Sequence, residues 1–290
     1  MIVDSHAHYA HSGFSSSFRY LSWEENWTVK EGTLEELLSE MADRGISASV
    51  EPGISMDFNE RILELSKRYS GRIFPAVGCH PTRCIHEKWS DRKRLDDYCR
   101  DDTVVAIGET GLDYHHPRGE QQRLKQYLWF LYQLRLAKKR KLPLILHIRD
   151  ADWDAIRVLK LLRPQYGGVV HCCGEGWDVI EEYLKLGLYI GIGGLLLTPD
   201  RNEKLKEAVK RIPLDRILVE TDSPYVLPYC KDVLPPKLVR RTRNSSLILP
   251  RVISEIAALH GKSPEEVERI TAENAIRLYG LTCIEECENP

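Results

Sequence analysis

Short runs of β-branched and aliphatic residues recur along the chain, and segments of helical character separate most of them. The runs lie at 1–7, 46–52, 72–78, 103–109, 143–148, 167–172, 188–193 and 216–221. Runs such as VVAIGE and PLILHI are continuously apolar, which is typical of strands buried on both faces of a parallel sheet. We therefore predict eight parallel strands.

The predicted helices lie at 33–44, 57–70, 117–141, 151–163, 174–186, 200–211 and, after the last strand, within 247–279. In the longest of them, Leu124, Leu128 and Leu131 fall on one stripe at helical spacing. Eight consecutive strand–helix units favour a closed (β/α)8 TIM-type barrel over an open doubly wound sheet. We expect a single barrel domain at 1–280 and a C-terminal tail at 281–290.

Length and charge narrow the class further. A chain of 290 residues is long enough for one TIM barrel, which needs about 250 residues, although it would also accommodate two ordinary domains. Its 41 basic and 43 acidic residues nearly cancel, which argues against a protein that coats polyanions. A nucleic-acid substrate would therefore need a local positive patch or bound metal ions.

The location of the protein follows from two further features. The start of the chain, MIVDSHAHY, lacks the regions of a signal peptide, and no apolar stretch is long enough to span a membrane. The eight cysteines show no spacing of a disulfide framework, so we expect reduced thiols, with Cys283 and Cys287 on an exposed tail. We expect a cytoplasmic protein without a membrane partner or an obligate protein partner.

Ligand-type side chains cluster at the ends of the predicted strands. His6 and His8 follow the first strand two positions apart, so in extended backbone they point to the same side. The others end the fourth, fifth, sixth and eighth strands: Glu109, His147, His171 and Asp222. A lone histidine at a strand end is more often structural, but six such residues on the face where barrel enzymes place their sites predict a metal site.

At these positions the sequence resembles the TatD-like hydrolases of the amidohydrolase superfamily, often described as TatD-type deoxyribonucleases. The resemblance covers essentially the whole chain and rests on an ordered set of motifs. These are DSHAH at 4–8, GCHP at 78–81, GETGLDY at 108–114, LPLILHIRDA at 142–151, HCCG at 171–174, ETDSPY at 220–225 and TAENAIRLY at 271–279.

The resemblance implies a binuclear centre. His6, His8, Glu109 and Asp222 would bind one divalent ion, and Glu109, His147 and His171 would bind a second. The ions, which could be Zn, Mn, Ni, Fe or Mg, would activate a water for attack. Asp222 would accept the proton of that water.

Two further residues are expected to contact the substrate. His80 and Arg149 follow the third and fifth strands and would bind phosphoryl oxygens by charge-assisted hydrogen bonds. A salt bridge from Arg149 to Asp113 or Asp150 is an equally good interpretation. The remaining histidines are expected on the surface or in loops: His11, His86, His115, His116 and His260.

Three departures from the family pattern bear on the substrate. The 9–32 loop is long and aromatic, and it could form a lid or a stacking surface for bases, although ordinary packing over the barrel mouth is the better interpretation. HCCG replaces the usual His-Cys-Phe-Ser-Gly, and Asn244-Ser-Ser replaces Asn-Glu-Pro. The basic run at 237–243 could bind a nucleic-acid backbone or be an idle solvated loop.

The leading functional hypothesis is a metal-dependent phosphoesterase acting on DNA as a 3′-5′ exonuclease. The alternatives are an amide, ester or lactone hydrolase, or a D-aminoacyl-tRNA deacylase, with the same metal centre. A non-catalytic scaffold is a third possibility, but buried charged ligands serve little purpose without the ion that they hold.

Overall fold

The computed structural model describes residues 1–116, 119–198, 203–228 and 234–282. The strands are β1 (Ile2–Asp4), β2 (Phe18–Trp23), β3 (Trp27–Gly32), β4 (Ile46–Glu51), β5 (Ile73–Val77), β6 (Ala106–Asp113), β7 (Leu144–Arg149), β8 (Gly168–Val170), β9 (Tyr189–Ile192), β10 (Ile217–Val219) and β11 (Thr242–Arg243). The α-helices are α1 (Leu34–Asp43), α2 (Met56–Arg68), α3 (Arg92–Tyr98), α4 (Glu120–Arg140), α5 (Asp152–Leu161), α6 (Trp177–Lys185), α7 (Glu203–Val209), α8 (Pro236–Val239), α9 (Leu249–His260) and α10 (Pro264–Tyr279).

Eight of these strands form one parallel sheet in the order β1-β4-β5-β6-β7-β8-β9-β10. Backbone bonds join its two ends: Ser5 donates to the Val219 carbonyl at 3.0 Å, and Asp222 donates to the His6 carbonyl at 2.9 Å. The sheet is therefore closed, and the predicted TIM barrel is confirmed. The predicted tail cysteines Cys283 and Cys287 lie outside the described residues, whereas the five cysteines that the structure describes are free.

The strands are buried on both faces, as their continuous apolar runs predict. Leu144 packs in the larger core cluster, whereas its neighbour Ile145 packs in the smaller one. Strands β6 and β7 end later than predicted, at Asp113 and Arg149 instead of 109 and 148, because their pairing resumes after a register shift and continues to these residues. Glu109 and His147 consequently lie within these strands and not at their ends.

The segment 9–32 forms a β-hairpin of β2 and β3, which the sequence did not predict. Strand β11, from the basic run at 237–243, pairs with β2 in parallel. The segment 9–32, which we call the insertion, therefore forms one three-stranded sheet with the end of the basic run. Phe14, which precedes β2, and Phe18 and Tyr20 within β2 are buried, which favours packing over a base-stacking lid. Sequence analysis also missed α3.

The longest helix, α4, is present as predicted, but its inner face differs from the leucine stripe. Leu124 and Leu128 are 59% and 42% exposed, whereas Trp129, Phe130 and Leu134 are buried against the barrel. The buried face of α4 includes two large aromatic side chains, Trp129 and Phe130, and the spacing of the leucines alone therefore indicated the wrong side of the helix.

Candidate metal centre

One glutamate lies between two sets of ligand-type atoms at the carboxyl-terminal mouth of the barrel. The Glu109 Oε1 atom lies 3.6 Å from His6 Nε2 and 3.2 Å from His8 Nε2. The Asp222 Oδ1 atom lies 3.6 Å and 3.3 Å from the same two nitrogens. We call His6, His8 and Asp222 the inner set.

The other oxygen of Glu109 faces the second set. Its Oε2 atom lies 3.3 Å from His147 Nδ1 and 3.1 Å from His171 Nε2, and these two nitrogens are 3.0 Å apart. We call His147 and His171 the outer set. The six predicted ligand residues are therefore brought together, with Glu109 between the sets.

The donor atoms of both sets suit divalent cations. The inner set together with Glu109 Oε1 brings two imidazole nitrogens and two carboxylate oxygens close together. No Lys or Arg side chain among the described residues forms an ion pair with Glu109 or Asp222. Nearby carboxylates and imidazole lone pairs repel one another unless protons or a cation lie between them. Three His/Asp/Glu groups with ligand spacing occur in this region: His6–His8–Asp222, His6–His171–Glu220 and His80–Glu109–His147.

At neutral pH, His6 and Glu109 have the protonation state of cation ligands, whereas the raised pKa values of His8 and His147 mean that each would release a proton on binding a cation. Burial, followed by the charge of His171, lowers the pKa of His6 to about 4, so His6 keeps its lone pair at neutral pH. Burial opposes ionisation of Glu109, but His80, His171 and His147 lower its pKa well below the usual value. Burial lowers the pKa of His147, and hydrogen bonds to Asp113 and Glu109 then raise it to about 9. A cation bound at His147 would therefore displace a proton.

Two carboxylates, Asp113 and Glu220, lie behind the outer set, and of these Glu220 was not predicted as part of the site. Asp113 Oδ2 lies 3.3 Å from His147 Nε2 and 2.8 Å from His116 Nδ1. Glu220 Oε1 accepts a hydrogen bond from the Cys172 backbone and lies 3.8 Å from His171 Nδ1. Each carboxylate faces the ring nitrogen that points away from Glu109, as partners of ligating histidines do.

A third buried carboxylate, Asp4, supports the inner set. It accepts hydrogen bonds from the Thr221 hydroxyl at 2.6 Å, the Ser246 hydroxyl at 2.6 Å and the His6 backbone at 3.2 Å. These bonds tie the segment after β1 to the segment after β10 and to the Asn244-Ser-Ser motif. Burial raises the pKa of Asp4 to about 6, and the hydrogen bonds that it accepts oppose this rise.

The two predicted substrate contacts have different surroundings. His80 Nε2 faces Glu109 Oε2 at 3.5 Å, and its Nδ1 accepts a hydrogen bond from the Thr82 backbone at 3.1 Å. In the neutral ring the proton is therefore on Nε2, which points at the centre. Arg149 is exposed at the end of β7, and neither predicted salt bridge is present: Asp113 pairs with His147 and His116, and Asp150 pairs with His115.

A cavity of about 180 Å³ opens above Glu109. Its wall includes His80 and four residues that sequence analysis did not assign to the site: His11, Phe58, Arg83 and Tyr225. The Tyr225 ring is 48% exposed and lies 6.0 Å from the His8 ring and 5.6 Å from the His11 ring. His11 was expected to be an ordinary surface or loop residue, whereas here it borders the cavity. Only its position three residues after His8 could have indicated this.

A closed barrel whose mouth carries these two ligand sets defines a metal-dependent hydrolase. The model of the TatD related DNase family matches residues 3–280, and the chain belongs to that family. Over 282 residues, covering 97% of this chain and all of the relative, it is 33% identical to the uncharacterized metal-dependent hydrolase YabD of Bacillus subtilis. Over 248 residues, covering 85% of this chain and 93% of the relative, it is 32% identical to the 3′-5′ ssDNA/RNA exonuclease TatD of Erwinia amylovora.

The fold comparison agrees. The crystal structure of YJJV, a TatD homologue from Escherichia coli, superimposes with a TM-score of 0.82 at 25% identity, covering 97% of this chain and 98% of the other. No helix among the described residues is long and apolar enough to cross a bilayer.

Proposed function

We propose that this protein is a 3′-5′ exonuclease that hydrolyses phosphodiester bonds of single-stranded DNA or RNA with two divalent ions. The observation that carries the proposal is the position of Glu109, whose two oxygens face separate ligand sets beneath an open cavity. The family match and the name of the Erwinia relative support a nuclease over an acyl hydrolase.

In this proposal His6, His8, Glu109 and Asp222 hold one ion, and Glu109, His147 and His171 hold the other. Divalent ions bound there would supply positive charge for phosphoryl oxygens and a water of lowered pKa. Asp222 accepts the proton of the attacking water. Burial opposes its ionisation, but a hydrogen bond with His8 and the charge of His6 lower its pKa, so the side chain is an ionised carboxylate that can accept a proton.

His80 is proposed to donate its Nε2 proton to a phosphoryl oxygen. The hydrogen bond from Thr82 to Nδ1 holds the ring in that tautomer, and burial, followed by the charge of His147, lowers the pKa of His80 to about 3. His80 is therefore a neutral donor and is better suited to bind substrate than to give a lone pair to an ion. Arg149 would contact phosphoryl oxygens outside the cavity, because its side chain lies at the exposed end of β7.

The test is a substrate panel with protein reconstituted separately with Mg, Mn, Zn or Ni: single-stranded DNA, a p-nitrophenyl phosphodiester, a lactone and an aminoacyl-tRNA. We expect hydrolysis of the first two and release of mononucleotides from the 3′ end. Activity confined to the lactone or the aminoacyl-tRNA would reject the nuclease. Asp222→Asn should reduce turnover by roughly 10³-fold while the protein stays folded, and near-normal rates would refute Asp222 as the base.

A further inference from the structure

Three basic side chains from distant parts of the chain meet beside the cavity. His11 follows the inner set, Arg83 follows His80, and Arg243 ends strand β11. His11 and Arg83 line the cavity together with Glu109 and Asp222. Arg243 joins them because β11 pairs with β2 of the insertion.

Gly13 leaves the space in which the side chains of Arg243 and His11 lie close together. A Cβ atom at Gly13 would lie 2.6 Å from Arg243 Nε and 2.8 Å from His11 Nδ1, so both atoms occupy the space that any other side chain there would fill. The Gly13 backbone also donates to His11 Nδ1 at 2.9 Å. The neutral His11 ring therefore carries its proton on Nε2, as a hydrogen-bond donor.

The charge at this place is positive and not neutralised. Neither Arg83 nor Arg243 forms an ion pair with a carboxylate among the residues that the structure describes, and the Arg243 guanidinium lies over the Phe18 ring, 5.7 Å from its centre. Burial lowers the pKa of His11, and the positive charges of His8, Arg243 and Arg83 lower it further. Two unpaired guanidinium groups and an N–H donor are the groups that bind phosphate oxygens.

We propose that His11, Arg83 and Arg243 form an anion site for the nucleic-acid phosphate next to the one being cleaved. The Tyr225 ring, 6.0 Å from the His8 ring and 5.6 Å from the His11 ring, borders both this site and the metal centre. The inference rests on the proposed nuclease function, and it gives that function a requirement for a second phosphate. It also assigns the basic run at 237–243 one binding residue, Arg243, instead of a diffuse charge.

The dinucleotide d(TpT) and the trinucleotide d(TpTpT) separate the two sites, because the first has only the scissile phosphate and the second has one more. We expect the wild-type kcat/KM to be higher for d(TpTpT). In the double variant Arg83→Met/Arg243→Met the ratio of the two kcat/KM values should fall by roughly tenfold or more, as expected for lost hydrogen bonds to a charged group.

The matched control is Arg240→Met/Arg241→Met, which removes two exposed arginines from the same basic run. It should leave the ratio within about twofold of the wild-type value. If the ratio fell as much in this control as in the Arg83/Arg243 variant, the cause would be general electrostatic attraction, and the proposed anion site would be overturned. Gly13→Ala keeps every charge but displaces Arg243 and His11, so it should also lower the ratio. An unchanged ratio in the Arg83/Arg243 variant would overturn the proposal.

A binding measurement distinguishes failure of the anion site from failure of the nuclease function. If no metal supports hydrolysis of either oligonucleotide, the nuclease proposal fails. Fluorescence anisotropy of labelled d(TpTpT), with protein from which a chelator has removed the metal ions, then tests the anion site alone. Weaker binding by the Arg83/Arg243 variant than by the Arg240/Arg241 control supports the site, and equal binding contradicts it.

Discussion

The inner and outer ligand sets meet at the same glutamate but are held in different ways. His6 is fully buried, and its segment is fixed by backbone bonds that close the barrel. His147 is 18% exposed and lies within a strand, with the single carboxylate of Asp113 behind its far nitrogen. One set is positioned by barrel closure, and the other by individual carboxylates.

This difference predicts different consequences of damage. Loss of Asp4, the carboxylate that supports the inner set, should cost folding stability, because the hydrogen bonds that it accepts from Thr221 join the first and last barrel strands. Replacing Asp113 by Asn behind the outer set should cost metal affinity with little effect on folding. The amide keeps an oxygen for the backbone N–H groups of His115 and His116, which donate to Asp113 at 2.9 and 3.0 Å, so the main change is in the orientation and basicity of the His147 imidazole.

The largest effect is expected at Glu109, which serves both sets. In Glu109→Gln an amide NH₂ replaces one oxygen, so one set must face a donor group instead of a lone pair. We expect a loss of roughly 10³-fold in hydrolysis and a clear loss of bound metal. Elemental analysis and thermal melting would measure this, and a variant that keeps its metal and its rate would show that Glu109 does not bridge.

The second prediction concerns Asp113→Asn, which removes the charge behind His147. Metal affinity should fall by about 10- to 100-fold, with folding stability close to that of the wild type. Metal titration followed by calorimetry would measure the change. Asp150→Asn is the matched control, because Asp150 pairs with the exposed His115 in the same region and should have no effect on metal affinity. Equal affinities in the two variants would remove Asp113 from the centre.

The third prediction is the counterpart in the inner set. Asp4→Asn places an amide where four donors converge, and we expect a loss of about 2 kcal/mol in the free energy of unfolding. Chemical denaturation of the metal-free protein measures it. The folded variant should retain affinity for metal within a few-fold. A stable variant that loses its metal would reverse the proposed division between the two sets.

The barrel and the proximity of the candidate ligands could be predicted from the sequence, because both depend on local patterns. Apolar runs define the strands, and His, Glu and Asp at their ends stand out against them. Asp4 and Glu220 were harder to assign because their partners are distant, as with the Ser246 hydroxyl 242 positions after Asp4. A usable signal did exist, since each is a carboxylate in an apolar run, where burial is costly without partners.

The rim of the site was less predictable. The pairing of β11 with β2 includes only two residues of β11, which is too short for an alternation of apolar and polar residues to predict it. This pairing nevertheless brings Arg243 to the mouth of the barrel. Arg149, two positions after His147, was expected to point at the substrate. It lies at the exposed end of β7 and does not line the cavity, so its contact with substrate stays a prediction.

The smallest predicted effect concerns Glu51, a buried carboxyl that accepts backbone hydrogen bonds from Tyr9 and Ala10 just beyond the inner set. Burial raises its pKa from 4.5 to about 7, and the charge of His8 and the two hydrogen bonds only partly oppose this rise. Between these pH values the folded protein keeps a proton that the unfolded chain has released, so stability should fall as pH rises through this window.

Glu51→Gln cannot ionise and should lack this part of the pH dependence. We therefore expect metal-free Glu51→Gln protein to become more stable relative to the metal-free wild type as the pH rises from 5 to 8. The measurement is the difference between their free energies of unfolding in urea at each pH. The amide also replaces one of the two accepting oxygens with a donor and loses part of the anchor for Tyr9 and Ala10, which lowers the stability of Glu51→Gln by a similar amount at every pH and leaves the pH dependence of the difference unchanged. A difference that does not change with pH would mean that Glu51 is ionised throughout, and the inner set would then rest on a charged support.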